Sequence, residues 1–194
     1  DATKVIQAGE PDWRTVVAKA IGTVPQSKTI FFQKHMAHHL LEEMDWDWLG
    51  QVTNCFLIRD PREVIASYVR TRPNPTLADV GISQQAKIFD RVARLTGNTP
   101  VVLDAKDVLR EPRRMLGALC SALGITFSES MLRWPAGARE SDGVWADHWY
   151  TTVQQSTGFV PYVSKVDLLP ARLRSLAEAC EPHYARLHSC RLQA

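Results

Sequence analysis

Arg59 and Ser67, eight residues apart, form the pair in this chain best suited to holding an anion. A guanidinium is a permanently charged planar fork that can donate two parallel hydrogen bonds to a phosphate or a carboxylate. A serine two helical turns further on offers a hydroxyl donor to the same group. The intervening Asp60 would repel a phosphate placed directly on the helix start, so the ligand is expected beside the helix, between Arg59 and Ser67. The same residues also allow a plainer arrangement, in which Arg59 pairs with a carboxylate and Ser67 is a small packing residue. His35 is the second chemical candidate, because a neutral imidazole can take a proton from an attacking hydroxyl near neutral pH. With His38 and His39 it reads H-x-x-H-H, and on a helix His35 and His39 would share a face at a spacing that can hold zinc. Residues 36 and 37 are Met and Ala, so the glutamate of an HExxH site is missing. A strand ending at His35 would also remove the helical spacing, and no metal is expected.

These side chains need elements to hold them. Cys55, Phe56, Leu57 and Ile58 form a continuous apolar run, which predicts a central strand covered on both faces. Asp60 ends it and can cap the next helix, Pro61 suits the first helical position, and Glu63 lies where a capping box would place it. Arg59 therefore leaves the carboxyl end of a strand, where open α/β sheets bind ligands. Strands are expected at Thr29 to Gln33, Gln51 to Ile58 and Val101 to Asp104. Helices are expected near Ala37 to Glu43, Arg62 to Arg70, Ser83 to Thr96, Pro112 to Leu123 and Ala171 to Leu187. The alternation predicts an α/β fold, a parallel sheet with helices on both faces joined by right-handed crossovers. Arg70 to Gly81 reads as a loop, and Gly137 to Gly158 as a long polar and aromatic segment of the kind that forms lids.

Composition narrows the class. At 194 residues, with 45% hydrophobic and 23% charged content, the chain suits a single α/β domain over residues 1–194. Its 23 basic and 21 acidic residues leave a net charge of +2, too balanced to point to nucleic acid. Local basicity at Arg59, Arg62, Arg70 and Arg72 fits a small anionic ligand better. No apolar run approaches membrane-spanning length and nothing at the start reads as a signal peptide, so no membrane partner is expected. Four cysteines, at 55, 120, 180 and 190, lack CxxC spacing, which suggests reduced thiols in a cytoplasmic compartment.

The segment Leu57 to Tyr68, LIRDPREVIASY, resembles the 3′-phosphate-binding motif of sulfotransferases that use 3′-phosphoadenosine 5′-phosphosulfate (PAPS). That motif has an arginine, then Asn or Asp, Pro, and a serine eight residues after the arginine. The resemblance implies that Arg59 and Ser67 bind the 3′-phosphate. Thr29 to Met36 is similar to the family's strand ending in lysine-threonine-histidine-leucine, which places His35 on the catalytic histidine. Lys34 adjoins it, whereas Gln33 occupies the family's lysine place. Val101 to Asp107 resembles the family's strand and acidic corner, with Asp104 near its glutamate. The proline-started helix and the ending Leu123, Gly124, Ile125 are also similar. Residues 141–149 resemble a Gly-x-x-Gly-x-Trp segment that closes over the nucleotide, which makes Arg139, Gly143 and Trp145 candidates for binding it. The resemblance implies a P-loop NTPase-like architecture, PAPS as co-substrate, 3′,5′-adenosine bisphosphate as product, and a small-molecule acceptor with a hydroxyl or amine. Oligomeric state has no signature.

The family also carries a phosphosulfate-binding loop, and no Gly-x-x-x-x-Gly-Lys-Ser/Thr pattern occurs in these residues. The expectation is a chain that starts after that loop, or a domain that has lost sulfuryl transfer. Two other classes stay open: a P-loop-fold kinase or nucleotide hydrolase, which would need Mg²⁺ and a loop lysine, and a non-catalytic nucleotide-binding module.

Overall fold

The computed structural model describes residues 2–24, 28–139, 142–144, 146 and 150–194. In chain order its helices are α1 (Ala2–Ala8), α2 (Trp13–Ala20), α3 (Pro61–Tyr68), α4 (Leu77–Val80), α5 (Ile82–Thr96), α6 (Ala105–Arg110), α7 (Pro112–Ala122), α8 (Thr151–Gln155) and α9 (Arg174–Ser189), and its strands are β1 (Cys55–Ile58) and β2 (Val101–Asp104). The chain divides into two compact units, Asp1–Gln33 with Ser128–Val160, and Lys34–Phe127 with Pro161–Ala194. No helix among the described residues is long and apolar enough to cross a membrane.

The second unit holds the sheet. β1 and β2 pair in parallel, with Cys55 opposite Val101 and Ile58 opposite Asp104. Asn54 fixes the approach to β1, its side-chain amide donating to the carbonyls of Leu49 (2.7 Å) and Val52 (2.8 Å). Phe56 and Ile58 bury into a core with Ala86, Ile88, Phe89 and Val92 of α5, Val102 of β2 and Leu187 of α9. The Phe56 and Phe89 rings meet edge to face at 5.5 Å, a geometry that adds to their burial. A second cluster joins Ile65 of α3 to Ile82, Leu173, Ala177 and Cys180, so α9 is shared by both cores.

The parallel strand pair, the Val101–Asp104 strand and the helices at α3, α5, α7 and α9 agree with expectation. Several other features differ. Thr29 to Gln33 forms no strand. The β1 strand is four residues long, because Asp47–Gln51 coils into a 3₁₀ turn instead of extending the strand backwards. Its burial alternates, with Cys55 exposed and Leu57 62% exposed, so β1 is covered on one face only. β2 is covered on both, since α6 and α7 pack against it and Val102 and Leu103 are both buried. The expected helix at Ala37 to Glu43 is a single 3₁₀ turn, Ala37–His39. His35 precedes that turn, so the helical i, i+4 relation to His39 does not exist. The loop Arg70 to Gly81 contains α4, opened by a capping box between Thr76 and Asp79.

In the first unit, Asp12 caps α2 by accepting from the Arg14 amide at 3.1 Å. Residues 133 and 158 form an antiparallel bridge, with Trp134 stacked edge-on against Phe159 at 5.4 Å.

Candidate functional site

At the carboxyl end of β1 the chain turns through Arg59 and Asp60 into α3. Asp60 caps the helix by accepting from the Arg62 amide at 2.8 Å. It also accepts twice from the Arg62 guanidinium, at 3.0 and 2.6 Å. Burial alone would raise the Asp60 pKa, but these Arg62 bonds outweigh it and hold the carboxyl below its usual range. The charge expected to repel a ligand is thus met locally by Arg62.

Glu63 does not complete a capping box. Its carboxylate is 2% exposed and serves the arginine instead. Arg59 donates from Nε to Glu63 Oε2 at 2.9 Å, while Glu63 Oε1 accepts from the Tyr162 hydroxyl at 2.7 Å and from the Lys165 amide at 3.1 Å. Burial would push the Glu63 pKa up, but the bonds from Tyr162, Lys165 and Arg59 overcome it and bring the pKa below the ordinary value. The Tyr162 hydroxyl moves the opposite way, raised chiefly because ionising it would place two anions on one hydrogen bond. Arg59 is about one-third exposed, and only its Nε is engaged among the described residues. The ion pair allowed for from the sequence therefore exists, yet it occupies one edge of the fork and leaves the terminal nitrogens as donors.

Ser67 lies one helical turn beyond Glu63, exposed on α3. Opposite, at the end of β2, Asp104 is buried and accepts from the Tyr184 hydroxyl (2.6 Å) and the Lys106 amide (2.7 Å), which caps α6. Burial first, then this bond to Asp104, drives the Tyr184 pKa strongly upward, so its proton stays in place. Lys106 and Arg110, one turn apart on α6, lie over the Tyr162 ring at 5.8 and 5.3 Å from its centre.

His35 meets Trp48 edge to face at 6.0 Å, and partial desolvation lowers its pKa. His39 is also lowered, by desolvation and then by the positive fields of His38, His35 and Lys34, so these four form one basic neighbourhood. The structure groups His35 and Lys34 there, and Arg59 with Glu63 and Tyr162 at the strand end. Arg139 and Gly143 belong to the first unit. Asp142 accepts from the Arg139 amide at 3.0 Å, and Gly143 accepts from the Ala146 amide at 2.9 Å. Trp145 lies outside the described residues.

Sequence reasoning missed Tyr162 and the Lys165 amide, about a hundred residues from Glu63 and without a local signal. The role of Glu63 did have one, since a carboxylate four residues after an arginine is the spacing of an ion pair.

A family model for the sulfotransferase domain matches residues 2–189. The chain is 31% identical over 168 residues to branched-chain-amino-acid aminotransferase-like protein 2 of Arabidopsis thaliana, covering 87% of this chain and 30% of that protein. It is 32% identical over 163 residues to branched-chain-amino-acid aminotransferase-like protein 1 of the same plant, covering 84% and 29%. The chain thus spans less than a third of the length of these curated relatives. No solved structure matches it. The match across nearly its whole length shows that the chain belongs to the sulfotransferase domain family.

Proposed function

We propose that this domain binds the 3′-phosphate of PAPS through Arg59 and Ser67 and transfers the sulfuryl group to a hydroxyl or amine of a small-molecule acceptor, on a P-loop NTPase-like scaffold. The observation that carries the reading is Arg59 at the carboxyl end of a parallel strand, with one edge of its guanidinium held by buried Glu63 and its terminal nitrogens open to a ligand. A pre-oriented arginine presents two donors to a phosphate without first having to be ordered, which favours affinity. Ser67, exposed further along α3, supplies a hydroxyl donor.

Transfer forms a bond between the acceptor oxygen or nitrogen and sulfur, and breaks the bond between sulfur and the 5′-phosphate oxygen. His35 takes the acceptor proton, and its lowered pKa keeps it neutral and able to do so. A lysine of the family's phosphosulfate-binding loop, or else Lys34, is assigned to the charge that collects on the departing phosphate oxygen. Arg139, Gly143 and Trp145 keep the nucleotide-binding role that the resemblance implies for them. No metal enters this scheme, and the cysteine spacing supports a cytoplasmic setting. The activity in the names of the Arabidopsis relatives is not carried over, because the matched part is under a third of each.

Calorimetric titration of the chain with 3′,5′-adenosine bisphosphate, 5′-AMP and ATP tests the reading. The bisphosphate should bind on the order of tenfold or more tightly than 5′-AMP, as charge-assisted hydrogen bonds allow, and Arg59→Ala should abolish that preference. Equal affinity for the three nucleotides would overturn the assignment.

A further inference from the structure

Glu63 and Tyr162 are not accounted for by phosphate binding or by proton transfer, yet Glu63 is a buried carboxylate bonded directly to Arg59. A carboxylate in the core is costly unless its oxygens are fully bonded. Glu63 meets that requirement with three donors from three places: the guanidinium at the strand end, the Tyr162 hydroxyl and the Lys165 amide. A structural ion pair on a surface would need only the arginine. Here Oε1 is held by the 162–165 segment, so Oε2 has little freedom, and the Nε of Arg59 is bonded to that fixed oxygen. In a planar guanidinium, fixing Nε–H also fixes the plane in which the terminal donors lie.

We propose that Glu63, held by Tyr162, is a positioning residue that sets the plane of the Arg59 fork for its phosphate. The inference rests on the anion site proposed above and adds its orienting partner. It assigns Glu63 no contact with the ligand. Losing it should leave the arginine's charge in place and remove its direction, which selectively weakens recognition of the 3′-phosphate. Tyr162→Phe should act the same way but more weakly, since the Lys165 amide and Arg59 still hold the carboxylate.

The test compares Glu63→Gln, Tyr162→Phe, Arg59→Ala and the double variant Glu63→Gln/Arg59→Ala by calorimetry with 3′,5′-adenosine bisphosphate and 5′-AMP. Glu63→Gln should lose on the order of tenfold in bisphosphate affinity, with 5′-AMP changed less than about twofold. In the Arg59→Ala background the same substitution should cause no further loss, because there is no fork left to orient. A Glu63 that only supports the fold would weaken both nucleotides alike, or would act equally with and without Arg59, and either result overturns the proposal. Should Glu63→Gln fail to fold, Tyr162→Phe carries the same comparison. The nitrogen-15 signal of the Arg59 Nε–H group supplies a readout without ligand. It should be resolved and slow to exchange in the parent chain and should broaden or shift in both Glu63→Gln and Tyr162→Phe, and an unchanged signal would sink the clamp itself. A parent chain with no bisphosphate preference but a clamped signal would instead locate the failure in the phosphate assignment.

Discussion

His35 illustrates how a single side chain can be tuned by its place. Partial desolvation disfavours the imidazolium, so its pKa lies below the ordinary histidine value of about 6.5. Because the folded pKa is depressed, the neutral, proton-accepting form persists above it and is lost as the pH falls through it. If His35 is the base, kcat/KM should have an acid limb with a midpoint below about 6.5. His35→Ala should remove that limb and lower kcat by roughly 10²- to 10⁴-fold with little change in donor KM. A pH–rate profile of parent and variant checks both, and an acid limb that survives in His35→Ala would assign the proton to another group. Arg59 poses the complementary case. Its charge is permanent, so what its surroundings control is direction, and the buried Glu63 carboxylate is the means.

At the scale of elements, the junction of α4 and α5 turns on Gly81. This residue closes α4 and opens α5 at φ 73°, in the left-handed region where a side chain is strained. A Cβ there would lie 3.2 Å from Nδ1 of His38. Gly97, which closes α5 at φ 69°, has open space around the corresponding position. Gly97→Ala should therefore cost only the backbone strain of about 1–2 kcal/mol. Gly81→Ala should cost more and should disturb His38, so that thermal unfolding of the two variants separates the contact from the strain. Elements governed by local chemistry were legible in the sequence: Asp60 and Pro61 announce α3, and Pro112 starts α7. The expected Thr29 to Gln33 strand was not, because an apolar run indicates burial only when another element covers it. Ile30 and Phe32 in that run remain 55% and 80% exposed. The same reasoning explains β1, whose unbroken apolar run suggested two buried faces although α5 and α9 cover only one.

For the whole molecule, the candidate site was legible in halves. Arg59 and Ser67 come from a compact stretch that spans the turn after β1 and the helix α3, and the family match over residues 2–189 agrees with the resemblance read from it. The partners that orient Arg59 come from residues 162 and 165, brought to α3 by the return of the chain toward α9, and no pattern of adjacent residues encodes such a meeting. The open face of β1 has a practical consequence in thiol chemistry. Cys55 stands exposed on it and Cys190, just past the end of α9, is exposed as well, whereas Cys120 and Cys180 are buried. In Cys190→Ser, maleimide or iodoacetamide should therefore label one site, Cys55. Partial desolvation raises the Cys55 thiol pKa, so labelling should be slow at neutral pH and accelerate as the pH climbs. Mass spectrometry of the modified peptide checks the site, and modification of Cys180 at a comparable rate would show that the core opens. The sheet face thus becomes a chemical gauge: any further stretch of polypeptide or partner that comes to lie across β1 can be timed by how far it slows alkylation of a single sulfur.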